Sequence, residues 1–261
     1  MSEDILSRRP PPADQRLLYG TDTNQFMDLR LPRDDKANKE PVPLILNIHG
    51  GFWRAKYDLE YGGHLCAALS DSGLVTANLE YRRVGNTGGA WPGTFEDIRS
   101  AFHFLTQRAS KYNFNPAKII AIGHSAGAQL ALCLAAHEPT LAGVVSLAGV
   151  IDLQKAYDLH LSNDAVVEFL GGKPAEVPDH YREADPMQLS ISRSRQFLIH
   201  GLEDDIVPPT FSHEYVEAKR KRHENENLTL LEIAHADHFA LVDPNSAAWK
   251  EVLKSVLQIA T

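Results

Sequence analysis

Residues 119 to 132 read IIAIGHSAGAQLAL, a β-branched apolar run, the pentapeptide Gly123-His124-Ser125-Ala126-Gly127, and then a helix-forming stretch. The apolar run predicts a buried strand and the stretch after it a helix, which sets Ser125 on a strand-to-helix turn. Glycines two residues to either side permit a turn too sharp for larger residues, holding the hydroxyl out where it can react. A serine hydroxyl is a weak nucleophile at neutral pH. It needs a base to take its proton, a group to orient that base, and fixed N–H donors for the oxyanion that forms on attack.

Twelve histidines are available as the base. LTLLEIA, residues 228 to 234, predicts the last strand, and the loop after it holds His235 and His238. His238 lies deeper in that loop and nearer the turn into the final helix, which favours it for reaching back to Ser125. The remaining histidines read as surface or core residues, His124 among them with its ring turned away from the reacting centre. HGLEDDIVP, residues 200 to 208, follows an apolar strand and offers Glu203, Asp204 and Asp205 as the orienting carboxylate, and residue type alone does not choose among them. NIHGGFW, residues 47 to 53, ends an early strand in two glycines that let the backbone turn its amides inward. Gly51 and Phe52, with Ala126 directly after the nucleophile, are then the expected oxyanion donors. Phe52 and Trp53 are expected to set two rings beside them as a substrate-binding wall that limits the acyl group to a small one.

The elements that must position these groups alternate. QFMDLRLP has the period of a half-buried strand, and PLILNIHG and LVTANLEY read as buried strands with the helical DLEYGGHLCAALSDSG between them. Thr94 with Asp97 three residues on predicts a capping box opening a helix that reaches Tyr112. KIIAIGHS, LAGVVSLAGV, QFLIHGLED and LTLLEIA supply further strands, and AGAQLALCLAAH, TFSHEYVEAKRKRH and SAAWKEVLKSVLQIA further helices. This alternation predicts an α/β fold, a mostly parallel sheet with helices on both faces. Residues 152–192 break the pattern, being polar, interrupted by Gly and Pro, and too long for an ordinary connection. They predict a cap insertion over the carboxyl ends of the strands. Pro10-Pro11-Pro12 predicts an extended surface arm, residues 1–18, before a single domain over 19–261.

With 261 residues, 43% of them hydrophobic, and a formal net charge of −8, the chain has the makings of a large core and lacks the basic face that nucleic acid requires. Cys66 and Cys133 fall far apart within apolar helical patterns and read as buried free thiols, which fits a reducing cytoplasm. The first residues carry acids and no continuous apolar run, and no segment has the length of a membrane span, so the expectation is a soluble cytoplasmic protein without a membrane partner. His235 and His238 lack the HExxH spacing or cysteine ligands of a metal site.

His-Gly-Gly-Phe-Trp, Gly-His-Ser-Ala-Gly and His-Gly-Leu-Glu-Asp-Asp-Ile-Val-Pro, in that order and followed by Asp-His-Phe, resemble the α/β-hydrolase superfamily over nearly the whole chain from about Tyr19. The first segment resembles the HGGG-type oxyanion motif with Phe52 in place of its third glycine. It is similar to that of the esterase and arylformamidase (kynurenine formamidase-like) branch. The resemblance implies an eight-stranded, mostly parallel sheet, an acyl-enzyme, and neither cofactor nor metal. Within the superfamily's pattern the catalytic Asp stands three residues before the Val of a Val-Pro pair, here Asp204, and the catalytic His precedes Phe, here His238. The expected activity is a serine hydrolase of small acyl esters. The alternative within the branch is an arylformamidase acting on N-formylkynurenine or a related aryl formamide. An alternative of another class is a non-catalytic ligand-binding protein of the same fold, against which the complete set Ser125, Asp204 and His238 argues.

Overall fold

A computed structural model describes residues 2–33, 40–191 and 193–260 of the chain. Residue 192, the expected end of the insertion, lies outside the described residues, as do residues 1 and 261. The expected alternation is present as an eight-stranded sheet: β1 (Gln15–Leu18), β2 (Phe26–Arg30), β3 (Val42–Ile48), β4 (Val75–Leu79), β5 (Phe114–His124), β6 (Gly143–Leu147), β7 (Arg195–Gly201) and β8 (Leu228–Ile233). Their spatial order is β1-β2-β4-β3-β5-β6-β7-β8, and only the β1–β2 and β2–β4 pairings are antiparallel. Residues 15–18, placed in the arm on sequence, form β1; with only Leu17 buried, four residues are too few to show alternation.

The central parallel strands β3, β5, β6 and β7 send apolar side chains toward both faces, as parallel strands covered on two sides require. On one face α2 (Gly93–Thr106), α3 (Ala126–His137) and α7 (Thr210–Lys221) close over Leu44, Leu46, Ile48, Ile119 and Ala121. On the other α1 (Gly62–Asp71) and α8 (Trp249–Ala260) cover Ile45, Ile120, Ile122 and Val145. Ile5, in a 3-10 turn over Ser2–Leu6, is fully buried in this second layer, so the beginning of the expected surface arm is a core contributor. Arg8 Nη2 then bonds Asp243 Oδ2 at 2.5 Å and pins the segment to the loop before α8.

Two local expectations are corrected. Thr94 and Asp97 form no capping box, because both have stronger tertiary partners: Thr94 Oγ1 donates to the Arg82 carbonyl, and Asp97 accepts from the Arg82 guanidinium and Gln25. The helix ends at Thr106, with turns beyond it. Within residues 152–191 the chain forms three short helices, α4 (Leu153–Asp158), α5 (Ala165–Leu170) and α6 (Pro178–Ala184). Phe169 of α5 stacks on Trp53 at 4.6 Å and meets the edge of Trp91, while Arg54 bonds Glu168, tying this segment to the turn after β3.

Strand register brings the chemistry together. Ile48 pairs with Gly123 at the ends of β3 and β5, and Gly201 pairs with Ile233 at the ends of β7 and β8. The approach of α3 to β3 is close: a Cβ on Gly127 would lie 2.1 Å from the Ile48 carbonyl oxygen and 2.5 Å from that of His49. Since backbone on both sides must shift to admit a methyl group, Gly127→Ala is expected to cost roughly 1–3 kcal/mol, the range for overpacked sites. Urea unfolding of the variant checks this; unchanged stability would show that α3 can move away from β3.

Candidate active site

Ser125 occupies the turn between β5 and α3 with φ 56° and ψ −122°, a strained conformation for a residue with a side chain. The surroundings impose it. Ser125 N donates to the Leu147 carbonyl at 2.8 Å, and its own carbonyl accepts from Ala128 and Val150. Gly123 faces the Gly127 carbonyl, where a Cβ would approach to 2.2 Å, so both glycines of the pentapeptide answer to sterics. Ala126 is the first residue of α3, and its N–H is one of the four at a helix start that have no intrahelical acceptor.

The turn after β3 runs through three successive positive φ values, 107° at Gly51, 51° at Phe52 and 57° at Trp53. A buried polar cluster fixes its base. His49 Nε2 meets Glu80 Oε1 at 3.2 Å, Arg83 bonds the same oxygen at 3.0 Å, and Tyr81, stacked on the His49 ring, donates its hydroxyl to the His49 carbonyl. Burial works to raise the Glu80 pKa, but His49 and Arg83 outweigh it and hold the carboxyl below its ordinary value. Phe52 lines the pocket onto which Ser125 opens. Trp53 does not. Its ring is 1% exposed, packed on Phe169, with Nε1 donating to Gln129 at 3.0 Å. The expectation of a substrate-contacting Trp53 is therefore corrected: Phe169 offers its ring a stacking partner in the core and Gln129 an acceptor for its N–H.

Asp204 and His238 meet. His238 Nδ1 donates to Asp204 Oδ2 at 2.7 Å with both side chains buried, and Asp204 Oδ1 accepts the backbone N–H groups of Ile206 and Val207. His200 stands behind, its Nε2 3.4 Å from Asp204 Oδ2. Burial alone would raise the Asp204 pKa, but His200, His238 and the Val207 amide prevail and hold this carboxyl well below the usual carboxylate range. An ionised Asp204 on Nδ1 fixes the neutral His238 ring with Nε2 as its acceptor, the form that can take a proton from a hydroxyl. His235, three residues away, is 89% exposed and pairs with the exposed Glu203 at 2.8 Å. The loops after β7 and β8 thus hold two His–carboxylate pairs between them, and the His238 of the inner one lines Ser125's pocket.

That pocket is a cavity of about 300 Å³ lined by Ser125, His238, His124 and Gly51, with Leu6, Phe52, Tyr57, Tyr61, Ile206 and Phe239 as its walls. No described residue of 152–191 is in this lining, although the segment was expected to cover the site; it packs instead behind Trp53. His124, expected to face away, is at the pocket with its ring centroid 4.6 Å from that of His238. The reason is hydrogen bonding: Nε2 reaches the His238 carbonyl and Nδ1 the Tyr61 hydroxyl, each at 3.0 Å. Burial, with His238 adjacent, pushes the His124 pKa down to about 3, so this second imidazole stays neutral. Sequence reasoning missed the wall residues. Phe239 is adjacent to His238 and could have been inferred, whereas Leu6, Tyr57 and Tyr61 carry no local signal.

Esterases are among the known proteins this chain resembles. A probable isoprenylcysteine alpha-carbonyl methylesterase of Oryza sativa subsp. japonica is 22% identical over 93% of this chain and 61% of its own length. Esterase LipC of Mycobacterium tuberculosis is 26% identical over 88% of this chain and 60% of its own. The chain thus spans less than two thirds of the length of these relatives. Among solved structures, a truncated carbohydrate esterase from gut microbiota superposes with a TM-score of 0.81 at 18% identity, covering 97% of this chain and 99% of that one, a likeness of fold. The BD-FAE family model matches residues 27–218, from β2 through the Ser125 turn and the Asp204 loop into α7, and the chain belongs to this α/β-hydrolase family.

Proposed function

We propose that this chain is a serine carboxylesterase that cleaves small acyl esters through an acyl-Ser125 intermediate. The observation that carries the reading is the buried 2.7 Å Asp204–His238 pair opening on the same cavity as a strained Ser125. In this reading His238 Nε2 takes the Ser125 proton as Oγ attacks the ester carbonyl, and the N–H groups of Gly51, Phe52 and Ala126 receive the oxyanion. The protonated His238 then hands its proton to the departing alkoxide. Water then attacks the acyl carbonyl as His238 takes one of its protons, and His238 returns that proton to Oγ as the acyl–oxygen bond breaks, releasing the acid and restoring the Ser125 hydroxyl and the neutral ring. The esterase relatives support ester chemistry. The arylformamidase alternative leaned on the aromatic-Trp pair, of which Trp53 is in the core, so it is not carried forward. Two buried free cysteines support a reducing, cytoplasmic setting, and among the described residues no helix is long and apolar enough to cross a membrane.

The cavity volume sits at the small end of the roughly 300–1,000 Å³ seen for ligand sites, and its walls are mostly apolar. This supports short acyl or alkyl groups over long-chain lipids. Leu6, 46% exposed at the pocket, is the wall most easily altered without touching the core.

Ser125→Ala and His238→Ala are expected to lower kcat on p-nitrophenyl acetate by about 10⁴–10⁶-fold, and Asp204→Asn by a similar or somewhat smaller factor, as members of one catalytic unit do. His235→Ala and Asp205→Asn are expected to stay within about threefold of wild type, as exposed surface changes do. A dead His235→Ala with an active His238→Ala would move the base to the outer pair.

The pH profile of kcat/KM should rise from its acid side, because only a neutral imidazole accepts the serine proton. Its acid limb should show one ionisation. Asp204, held below the carboxylate range, is already an anion there, and His124, held near 3, is already neutral. A limb of slope two would contradict this.

Across C2 to C12 p-nitrophenyl esters the wild type should peak at C2 to C4, and Leu6→Ala should shift kcat/KM toward longer chains by about 10-fold, the low end of what pocket methylenes command. A wild-type optimum at C8 or longer would refute the size claim.

A further inference from the structure

The esterase reading uses His238 and leaves the second imidazole of the pocket, His124, without a task. Its surroundings define its hydrogens. Nε2 is 3.0 Å from the His238 carbonyl oxygen, which can only accept, so Nε2 carries the proton. In the neutral ring Nδ1 is then an acceptor, and the Tyr61 hydroxyl 3.0 Å away must donate to it. The Tyr61 oxygen in turn accepts the Gly50 N–H at 2.6 Å. Every donor and acceptor in this buried chain has one consistent assignment: Gly50 N–H to Tyr61 O–H to His124 Nδ1, and His124 Nε2–H to the carbonyl of His238.

The chain joins three separate parts of the site. Gly50 precedes the expected oxyanion donors Gly51 and Phe52, His124 precedes the nucleophile, and the His238 carbonyl belongs to the residue that carries the base. Gly50 is also packed against the nucleophile: a Cβ there would lie 2.8 Å from Ser125 Cβ. Binding the Gly50 N–H to Tyr61 directs the next two amides, rather than this one, to the reacting carbonyl. We propose that Tyr61 and His124 are positioning residues, a neutral hydrogen-bond relay that sets the oxyanion turn and the base-bearing loop relative to Ser125.

The groups acting on His124 are Tyr61, His238, Asp204 and His200, with Phe239 against its ring. A proton on Nδ1 would make that nitrogen a donor, turn the Tyr61 hydroxyl around, and leave its hydrogen without an acceptor in a buried place. The relay therefore works only with a neutral ring, in agreement with the burial that keeps His124 uncharged.

This inference rests on the esterase reading for its kinetic test, and a spectroscopic test stands apart from it. Tyr61→Phe removes one oxygen and keeps the ring that meets His124 at 5.6 Å and Phe239 at 6.2 Å edge-on. With p-nitrophenyl acetate the variant is expected to show a KM within about threefold of wild type and a kcat lower by roughly 10–100-fold, the scale of a misplaced reacting geometry. Fluorophosphonate labelling of Ser125 should slow in parallel. His124→Leu should be at least as severe, and the double variant no worse than His124→Leu alone, since both changes break one chain. His124→Gln, whose amide can still donate toward the His238 carbonyl, should recover part of the kcat lost in His124→Leu. A Tyr61→Phe kcat within twofold of wild type, or multiplicative losses in the double variant, overturns the relay. On the wild-type protein, ¹⁵N NMR of the histidine rings should place the His124 proton on Nε2 with no titration between pH 5 and 8. A proton on Nδ1, or titration in that range, overturns it whether or not any variant folds. Absence of Ser125-dependent ester hydrolysis in the wild type would instead sink the esterase reading, leaving the NMR result to judge the hydrogen-bond assignment.

Discussion

Between the start of α3 and the end of β3 there is room for a hydrogen atom and little else. A Cβ on Gly127 would reach 2.1 Å from the Ile48 carbonyl, and one on Gly123 2.2 Å from the Gly127 carbonyl. Because neither glycine carries a side chain, the Ser125 turn can pack backbone on backbone against the end of β3. Interiors packed to this density do not deform continuously. The positive φ values at Ser125, Phe52 and Trp53 are the strain that such an arrangement holds in place.

The two imidazoles at the pocket divide labour by their partners. His238 has an ionised carboxylate on Nδ1, which stabilises the ring when it gains a proton. His124 has a hydroxyl there and a carbonyl on Nε2, neither of which can neutralise a charge, and burial keeps it uncharged. Two rings 4.6 Å apart thus differ in what they can do because of one atom on each.

Much of this was legible in the sequence, and the division follows physical range. IIAIGHSAGAQLAL announces its strand, turn and helix through periodicity and glycine, and the structure has β5 ending at His124 and α3 beginning at Ala126. The choice of Asp204 over its acidic neighbours followed from motif, and the structure sets that carboxyl on His238 while Glu203 faces outward to His235. What was not legible depends on contacts far along the chain. Trp53 turns inward because Gln129 and Phe169 wait for it, and His124 turns toward the pocket because Tyr61 and the His238 carbonyl do. Thr94 and Asp97 match a capping box in spacing, yet Arg82 claims both. Leu6 and Ile5 sit in a short apolar stretch before three prolines, and nothing in that stretch reveals that one enters the core and the other lines the pocket.

The stack of Trp53 on Phe169 has a consequence for what holds the pocket in shape. Through it, and through the Arg54–Glu168 pair beside it, the turn that carries Gly51 and Phe52 is propped from behind by α5, a six-residue helix in a region of short helices. That helix is held by its own buried face, Ala165, Val166, Phe169 and Leu170. Loss of the Trp53–Phe169 stack would disturb the turn that carries Gly51 and Phe52 without unpairing any strand of the sheet, so the set of the pocket depends on the fit of one aromatic pair as well as on the sheet.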